Sequence, residues 1–299
     1  MSWFLSPFAV DFMQRALLGG VLVAAICAVV GTWVVIRGMA FLGEALGHGM
    51  LPGVAFASIV GAPAIVGAAA AAAVMSVGVG VLRRRGALSH DTSIGLLFVG
   101  MLSTGVIVIS HSRSFATDVT AILFGDILAI GEPEIVVLVA ALGATVILAV
   151  LFHRSFVAAA VDTRIAHTLR LGARRAQVVL VALVTLAVVA SYQAVGSLLV
   201  VGLLLAPAVA AAPWTRRVPT RMALAVVAGA VAVLVGLLVS WHAATSAGAS
   251  VALAAILLAA VSSAVRSVLD AVRSTTRASR SRPSSSRPSP TPEVSRAAS

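Results

Sequence analysis

The stretch at residues 41–58, FLGEALGHGMLPGVAFAS, places an acid and an imidazole inside an apolar segment of the chain. Glu44 and His48 are four residues apart, so on a helix their side chains share one face. Pro52 and Gly53 follow one turn later. Proline removes a backbone donor and kinks a helix, whereas glycine lets a neighbouring backbone come close. Because ionisable groups are costly in hydrocarbon, this pattern predicts a functional site beside a weakened helical turn.

The composition around this stretch is that of a membrane protein. The chain has 299 residues, of which 60% are hydrophobic and 10% are charged. A soluble globular chain is about 25% charged. The mean hydropathy is +1.09, and several apolar runs approach or exceed the ~20 residues that cross a bilayer. The alternating segments of ~10 residues that a transmembrane β-barrel needs are absent from the sequence. We therefore predict an all-α, polytopic transmembrane helical bundle.

The apolar runs predict about eight or nine spans, and nine is the preferred number. Residues 118–130, DVTAILFGDILAI, are too few to cross, so they predict a short re-entrant or interfacial helix. The apolar interval 178–212 has Arg on both flanks and is expected to cross twice, with 191–196 as the outer turn. The predicted spans are 16–36, 39–61, 64–82, 92–110, 134–152, two within 178–212, 222–240 and 248–265.

The basic residues predict the orientation of these spans. All 21 are Arg, and the formal net charge is +11. Because cytoplasmic loops carry an excess of basic residues, the clusters in 83–85, 153–177 and 216–221 are predicted to be cytoplasmic. The N-terminus would then lie outside and the C-terminus inside. We attribute the charge to this rule and to a basic tail, not to nucleic-acid binding. The predicted division is a transmembrane domain, 1–273, and a disordered Ser/Pro/Arg tail, 274–299.

Glu44 and His48 carry the chemistry in this interpretation. If Arg37 marks the inner surface, His48 lies eleven residues further along, which is roughly 16 Å into a hydrocarbon core of ~30 Å. Transport sites tend to lie near the midplane on interrupted helices. A carboxylate with an imidazole suits a divalent transition metal such as Zn²⁺ or Mn²⁺. Two alternatives are a buried Glu–His hydrogen bond that only joins helices and a proton pathway.

The longest polar interval between spans, 153–177, is a second candidate region. It contains VDTRIAHTLRLGARRAQ, in which Asp162, Ala166 and Gly172 punctuate two short helical pieces. One interpretation is an ordinary basic loop held at the lipid surface. The other is a docking element for a soluble partner.

Several stretches of the chain share motifs with one known family. GEALGHGMLPGVAFA, at 43–57, is similar to an acid-x-x-x-His-x-x-Leu-Pro-Gly-Val-Ala segment. Further matches are DTSIGLLFVGMLSTGVIVIS at 91–110, LFGDIL at 123–128, QAVGSLLVVGLLLAPAVAA at 193–211, and the loop that holds Asp162, Ala166 and Gly172. On these motifs the region from about 16 to 265 resembles the permease subunits of metal-ion ABC importers, the ABC-3 family.

The resemblance implies a multi-pass plasma-membrane permease that moves a divalent transition metal ion, Zn²⁺, Mn²⁺ or Fe²⁺, into the cytoplasm. It implies that this chain is not an enzyme and holds no permanent cofactor, because a separate cytoplasmic ATPase hydrolyses ATP. The other implied partners are a solute-binding protein outside, a second permease copy in a homodimer or pseudodimer, and membrane lipid. Glu44 and His48 match the family's gate and metal-path residues. The coupling segment that meets the ATPase is matched by Asp162, Ala166 and Gly172.

Some features depart from the family, and two other classes of protein compete with it. The acid at Glu44 is often Asp in the family, and the stretch 240–250, SWHAATSAGAS, lacks the Asp and Pro that are frequent there. A stand-alone ion- or proton-coupled carrier is the alternative, but several paired intramembrane acids are expected of it and only Glu44 lies deep. An intramembrane metalloenzyme is disfavoured because the sequence has no His-Glu-x-x-His or nucleophile motif. No Gly-rich phosphate loop with Lys occurs either, so ATP would be handled by another chain.

Overall fold

The computed structural model describes residues 7–84, 89–111, 125–161 and 173–280, and within these ranges it contains helices and no strand. Ten α-helices are formed: α1 (Asp11–Ile36), α2 (Ala40–Gly49), α3 (Leu51–Val60), α4 (Ala64–Arg84), α5 (His90–His111), α6 (Glu132–Leu151), α7 (His153–Val161), α8 (Ala173–Ala211), α9 (Val218–Ala243) and α10 (Ala247–Arg280). Short 3₁₀ helices lie at Pro7–Ala9 and Ile127–Ala129. Contacts within the chain separate a first unit that ends at Ser263 from a second unit that begins at Ala264.

Eight helical stretches of the described chain are long and apolar enough to cross a membrane. They are Asp11–Ile36, Ala64–Leu82, Thr92–Ser110, Glu132–Leu151, Arg175–Tyr192, Ala194–Ala211, Val218–Ala243 and Ala247–Val272. The predicted span 39–61 is present as α2 and α3, two helices of ten residues each. The prediction of an all-α transmembrane bundle with eight or nine spans is therefore confirmed. Which end of the bundle faces the cytoplasm stays a prediction.

α1 lies at the centre of the bundle, and small residues let other helices approach it closely. In its most apolar stretch, 67% of the residues are buried. The backbone carbonyl of Leu204 on α8 occupies the space where a side chain at Gly31 would begin. At Gly20 the corresponding space is occupied by a side-chain methyl group of Val233 on α9. Glycine contacts of this kind are the usual way in which membrane helices gain close van der Waals packing.

α8 consists of two arms that meet at Gly196, whose φ of 73° and ψ of 168° are not helical. Such backbone angles are adopted almost only by glycine. Gln177, near the start of the first arm, contacts Met39, and Leu204 in the second arm contacts Gly31. Both arms therefore return toward the end of the bundle where α1 passes into α2. The interval 178–212 holds two helical stretches that are each long and apolar enough to cross a membrane, as expected, and the residue with a non-helical backbone at their junction is Gly196.

The span that follows α1 is broken near its middle. Gly38, with φ of 64°, makes the turn between α1 and α2. Met50 then joins α2 to α3, and Pro52 is the second residue of α3. Proline is tolerated there because the backbone N–H groups of the first helical turn have no partner within the helix. Gly53 packs backbone to backbone against Gly67 of α4.

Several predicted segments lie partly or wholly outside the described residues. Of the predicted re-entrant helix, 125–130 is described, and there the side chains of Ile127 and Ile130 are buried against α1. The loop 162–172 lies outside the described chain. α10 ends at Arg280, and the remainder of the predicted tail, 281–299, is likewise not described. The division at residue 273 stays a prediction.

Candidate ion path around Glu44 and His48

α2 presents two different faces to the bundle. Gly43 lies against the side chain of Leu204, and Gly47 lies against Val201, both on the second arm of α8. Each residue of an α-helix is rotated by about 100° from the one before it. The close contact of the glycine face with α8 therefore turns the next positions in the sequence, Glu44 and His48, toward a neighbouring face of α2.

The His48 imidazole is partly buried and packs against α5. The ring centroids of His48 and Phe98 are 6.2 Å apart, and the ring planes are inclined by 58°. Phe98 also makes an edge-to-face contact with Phe41, with centroids 5.9 Å apart and planes at 71°. Aromatic pairs favour such inclined geometries. The contact with Phe98 places the imidazole beside α5, and the contact of Phe98 with Phe41 packs the same ring against the start of α2.

The Glu44 side chain is exposed on the surface of this single chain. Within the described ranges, neither the Glu44 side chain nor the His48 side chain takes part in a hydrogen bond or an ion pair. The hydrogen bond between them, one of the alternatives raised by the sequence, does not form in this arrangement. A carboxylate inside a membrane span needs water, a cation or another polar group to compensate its charge. The exposed position of Glu44 leaves it open to any of these from outside the chain.

The described residues do not bring a third ligand to this pair from the same copy of the chain. They contain no group of three or more His, Cys, Asp or Glu side chains that could hold a metal ion. A closed structural zinc site has four protein ligands. Two protein ligands, with water or another chain completing the shell, form an open site that can release its ion.

One buried hydroxyl close to α2 was not identified from the sequence. The Ser197 side chain is fully buried, and its Oγ has no hydrogen-bond partner in the described chain. The carbonyl oxygen of Ser197 lies 3.7 Å from the position a Cβ would take at Gly47, the residue before His48. An unsatisfied buried hydroxyl is a natural contact for bound water. The Gly-Ser pair at 196–197 within an apolar run is the sequence signal that could have indicated it.

Pro52 and Gly53 lie in the first turn of α3, directly after the break at Met50. Gly105 of α5 approaches Pro52, and a Cβ built on Gly105 would lie 3.2 Å from Cδ of Pro52. The break is thus enclosed by α4, through Gly53, and by α5. The other predicted site residues, Asp162, Ala166 and Gly172, lie outside the described residues.

A bundle of membrane spans with an acid–imidazole pair on a broken span is the architecture of a membrane transport subunit. The chain matches the model of the ABC 3 transport family over residues 9–266. It belongs to that family.

Three relatives show how far the similarity extends. The manganese transport system membrane protein MntC of Listeria monocytogenes is 32% identical over 248 residues, which are 83% of this chain and 88% of the relative. MntC of Halalkalibacterium halodurans is 30% identical over 251 residues, 84% of this chain and 86% of its own length. A probable iron transport system membrane protein of Haemophilus influenzae is 30% identical over 252 residues, 84% of this chain and 92% of its own.

A solved structure has the same fold. It is that of PsaBC from Streptococcus pneumoniae in complex with Fab, with a TM-score of 0.77 and 28% sequence identity. The superposition covers 87% of this chain and 94% of the matched chain. The similarity therefore extends over most of this chain and nearly all of the matched chain.

Proposed function

We propose that this chain is the permease subunit of an ATP-binding-cassette importer that moves a divalent transition metal ion across the plasma membrane into the cytoplasm. The observation that carries the proposal is the exposed, unpaired Glu44 carboxylate next to His48 on a broken span. The membership of the chain in the ABC 3 transport family supports the same function.

The chemistry of the pair and the names of the relatives indicate the class of ion. The carboxylate oxygens of Glu44 are ligands that suit Mn²⁺, and the imidazole nitrogen of His48 is a ligand that suits Fe²⁺ and Zn²⁺. The three relatives described above are named as manganese or iron transport proteins. We therefore propose Mn²⁺ or Fe²⁺ as the transported ion ahead of Zn²⁺. In the ion-binding state the His48 imidazole is neutral, since only a nitrogen lone pair can coordinate a metal.

A second copy of the permease is part of the proposal. In the most apolar stretches of α5 and α6, only 17% and 22% of the residues are buried, against 67% in α1. α5 also borders the Glu44 face of α2 through Phe98. A second copy packed there would cover the exposed carboxylate and could supply the missing ligands. The pair would then line a path between two permeases.

ATP hydrolysis is assigned to a separate chain. The sequence has no Lys at all, so the Lys-containing phosphate loop of an ATPase cannot be built from it. The basic loop with Asp162, Ala166 and Gly172 is the proposed contact with the cytoplasmic ATPase. A solute-binding protein that delivers the ion would dock at the opposite end of the bundle.

The proposal is tested by reconstituting the permease with its ATPase and solute-binding protein in proteoliposomes. Uptake of radiolabelled manganese, iron and zinc is measured with ATP and with a non-hydrolysable analogue inside the vesicles. ATP-dependent uptake of manganese or iron is the expected result. Uptake that follows an imposed proton or sodium gradient, and that is indifferent to ATP, would overturn the proposal in favour of a stand-alone carrier.

A further inference from the structure

An apolar groove lies between α9 and α10, away from Glu44 and His48. Two adjoining cavities of about 610 Å³ and about 320 Å³ form it, and they share Val231 and Leu258 as lining residues. Leu253 and Leu257 on its wall are 58% and 54% exposed, so the groove is open along its side. Because both helices are long and apolar enough to span a membrane, an open groove between them is filled by bilayer hydrocarbon.

One end of the groove lies beside an arginine. Leu224, Ala228 and Val231 line the smaller cavity, and Arg221 precedes them at helical spacing, so all four share one face of α9. Nε of Arg221 is buried, and no hydrogen bond or ion pair to the Arg221 side chain forms within the described chain. A buried N–H donor without an acceptor is costly, and the half-buried guanidinium is accessible to an acceptor from outside the chain.

The protein itself offers no carboxylate to this arginine from the walls of the groove. The sequence contains no Asp or Glu between Asp162 and Asp270, an interval that includes the whole of α9 and every groove residue on α10. Arg216 and Arg217 lie next to the start of α9 and are exposed. The residues that line the groove therefore supply no counter-charge to Arg221.

The same end of the groove has the features of a membrane–water interface. The indole N–H of Trp214 donates a hydrogen bond of 2.7 Å to Oγ of Ser262, which in turn donates one of 2.7 Å to the carbonyl of Ala210. These bonds tie the end of α8 to α10 beside the groove. Tryptophan is enriched at the level of lipid headgroups. Arg221 is thus positioned at the level where the phosphate of a lipid lies. The groove is positioned at the level where the acyl chain of that lipid lies.

We propose that the groove between α9 and α10 is a binding site for one anionic phospholipid. Its acyl chain lies along Leu224, Ala228 and Val231, and its phosphate accepts hydrogen bonds from the Arg221 guanidinium. Arginine binds phosphate through paired, charge-assisted hydrogen bonds, and basic pockets between membrane helices favour anionic headgroups. The proposal is independent of which ion the permease transports.

The test is a lipid-binding titration of the full-length protein, delipidated in detergent, with phosphatidylglycerol and with phosphatidylcholine, followed by native mass spectrometry. We expect one tightly retained phosphatidylglycerol per chain. Arg221→Gln should weaken its binding about tenfold, to the level of phosphatidylcholine, since a hydrogen bond to a charged group contributes at least that factor. The matched control is Arg216→Gln, which removes a neighbouring exposed Arg and should leave binding unchanged.

A second variant separates loss of binding from loss of folding. Leu224→Glu places a carboxylate one turn from Arg221, where it can pair with the guanidinium on the exposed helix face. Leu224→Glu should abolish the preference for phosphatidylglycerol over phosphatidylcholine although Arg221 is still present. Arg221→Lys should retain part of that preference. Equal phosphatidylglycerol binding by wild type, Arg221→Gln and Leu224→Glu would overturn the proposal. So would complete displacement of the lipid by inorganic phosphate at the same concentration, because the acyl chain would then contribute nothing.

Discussion

α1 and the α2–α3 span are neighbours along the chain, but they differ in whether a polar side chain has a hydrogen-bond partner. The two side chains compared are Thr32 in α1 and Glu44 in α2. α1 is one helix of 26 residues, and its buried Thr32 donates a hydrogen bond of 2.7 Å to the carbonyl of Ala28 in the same helix. The α2–α3 span is broken at Met50 and leaves the Glu44 carboxylate exposed, with no partner among the described residues. The difference teaches that a buried polar side chain such as Thr32 can be satisfied within its own helix, whereas the Glu44 carboxylate is left open to a ligand.

The largest expected effect concerns metal transport past Glu44 and His48 in the α2–α3 span. His48→Ala and Glu44→Gln should each lower metal uptake at least ~100-fold, since even the outer partners of metal ligands contribute 10–100-fold. Assembly of the complex should not change, because neither side chain forms a hydrogen bond or an ion pair within the described part of the chain. The measurement is uptake in proteoliposomes, normalised to assembled complex.

Thr32→Val in α1 is the matched control, because it removes a hydroxyl group that donates its hydrogen bond within its own helix. It should leave uptake per assembled complex unchanged. Wild-type uptake in both His48→Ala and Glu44→Gln would contradict the assignment of the ion path to the α2–α3 span. Reduced stability of the detergent-solubilised complex, with uptake intact, would identify the pair as structural.

The next effect concerns the packing of α1. Gly31→Ala should lower the free energy of unfolding by about 3 kcal/mol, because the new Cβ overlaps the carbonyl of Leu204 and the two helices must separate. Thermal unfolding in detergent measures it. Gly143→Ala on α6 is the matched control, since no atom outside its own helix lies within 4 Å of the added Cβ. Equal stability of the two variants would show that the α1–α8 contact is not close.

A smaller effect is expected at the turn of α8. Gly196→Ala should cost about 2 kcal/mol in stability, because φ of 73° with ψ of 168° is a strained backbone for any residue with a Cβ. Gly202→Ala lies in the same arm, and its added Cβ would make an ordinary contact of 3.6 Å with Ala252. If the two variants unfold at the same temperature, the two arms of α8 do not meet at a glycine-specific turn.

The smallest effect is expected at Ser197. Its hydroxyl has no protein partner in the described chain, so Ser197→Ala should change stability by less than about 0.5 kcal/mol. Uptake should fall by about threefold, the equivalent of one modest hydrogen bond, if the hydroxyl binds water along the path. A large loss of stability would show that Ser197 has a structural partner instead.

The spans and the acid–imidazole pair were predictable from the sequence because both depend on local properties. The ~20 apolar residues of a span are contiguous, and the four-residue spacing of Glu44 and His48 places them on one helical face. For the turn in α8, the sequence predicted only the range 191–196 and not the residue at which the chain turns. A membrane helix can reverse wherever a glycine accepts an unusual φ, so the position depends on packing. The break at Met50 was anticipated only through the Pro-Gly pair that follows it.

The sequence by itself determined that the chain is a series of apolar segments and approximately where they lie, and it indicated Glu44 and His48 as candidate ion-binding residues. The tertiary structure alone decided which faces of those segments are covered. Gly43 and Gly47 pack against α8 and so turn Glu44 outward, while Arg221 comes to lie beside a groove that supplies no carboxylate. The physical reason is that hydrophobic length is a property of one segment. The exposure of a charge, by contrast, depends on contacts between residues that lie more than a hundred positions apart, as Gly43 and Leu204 do.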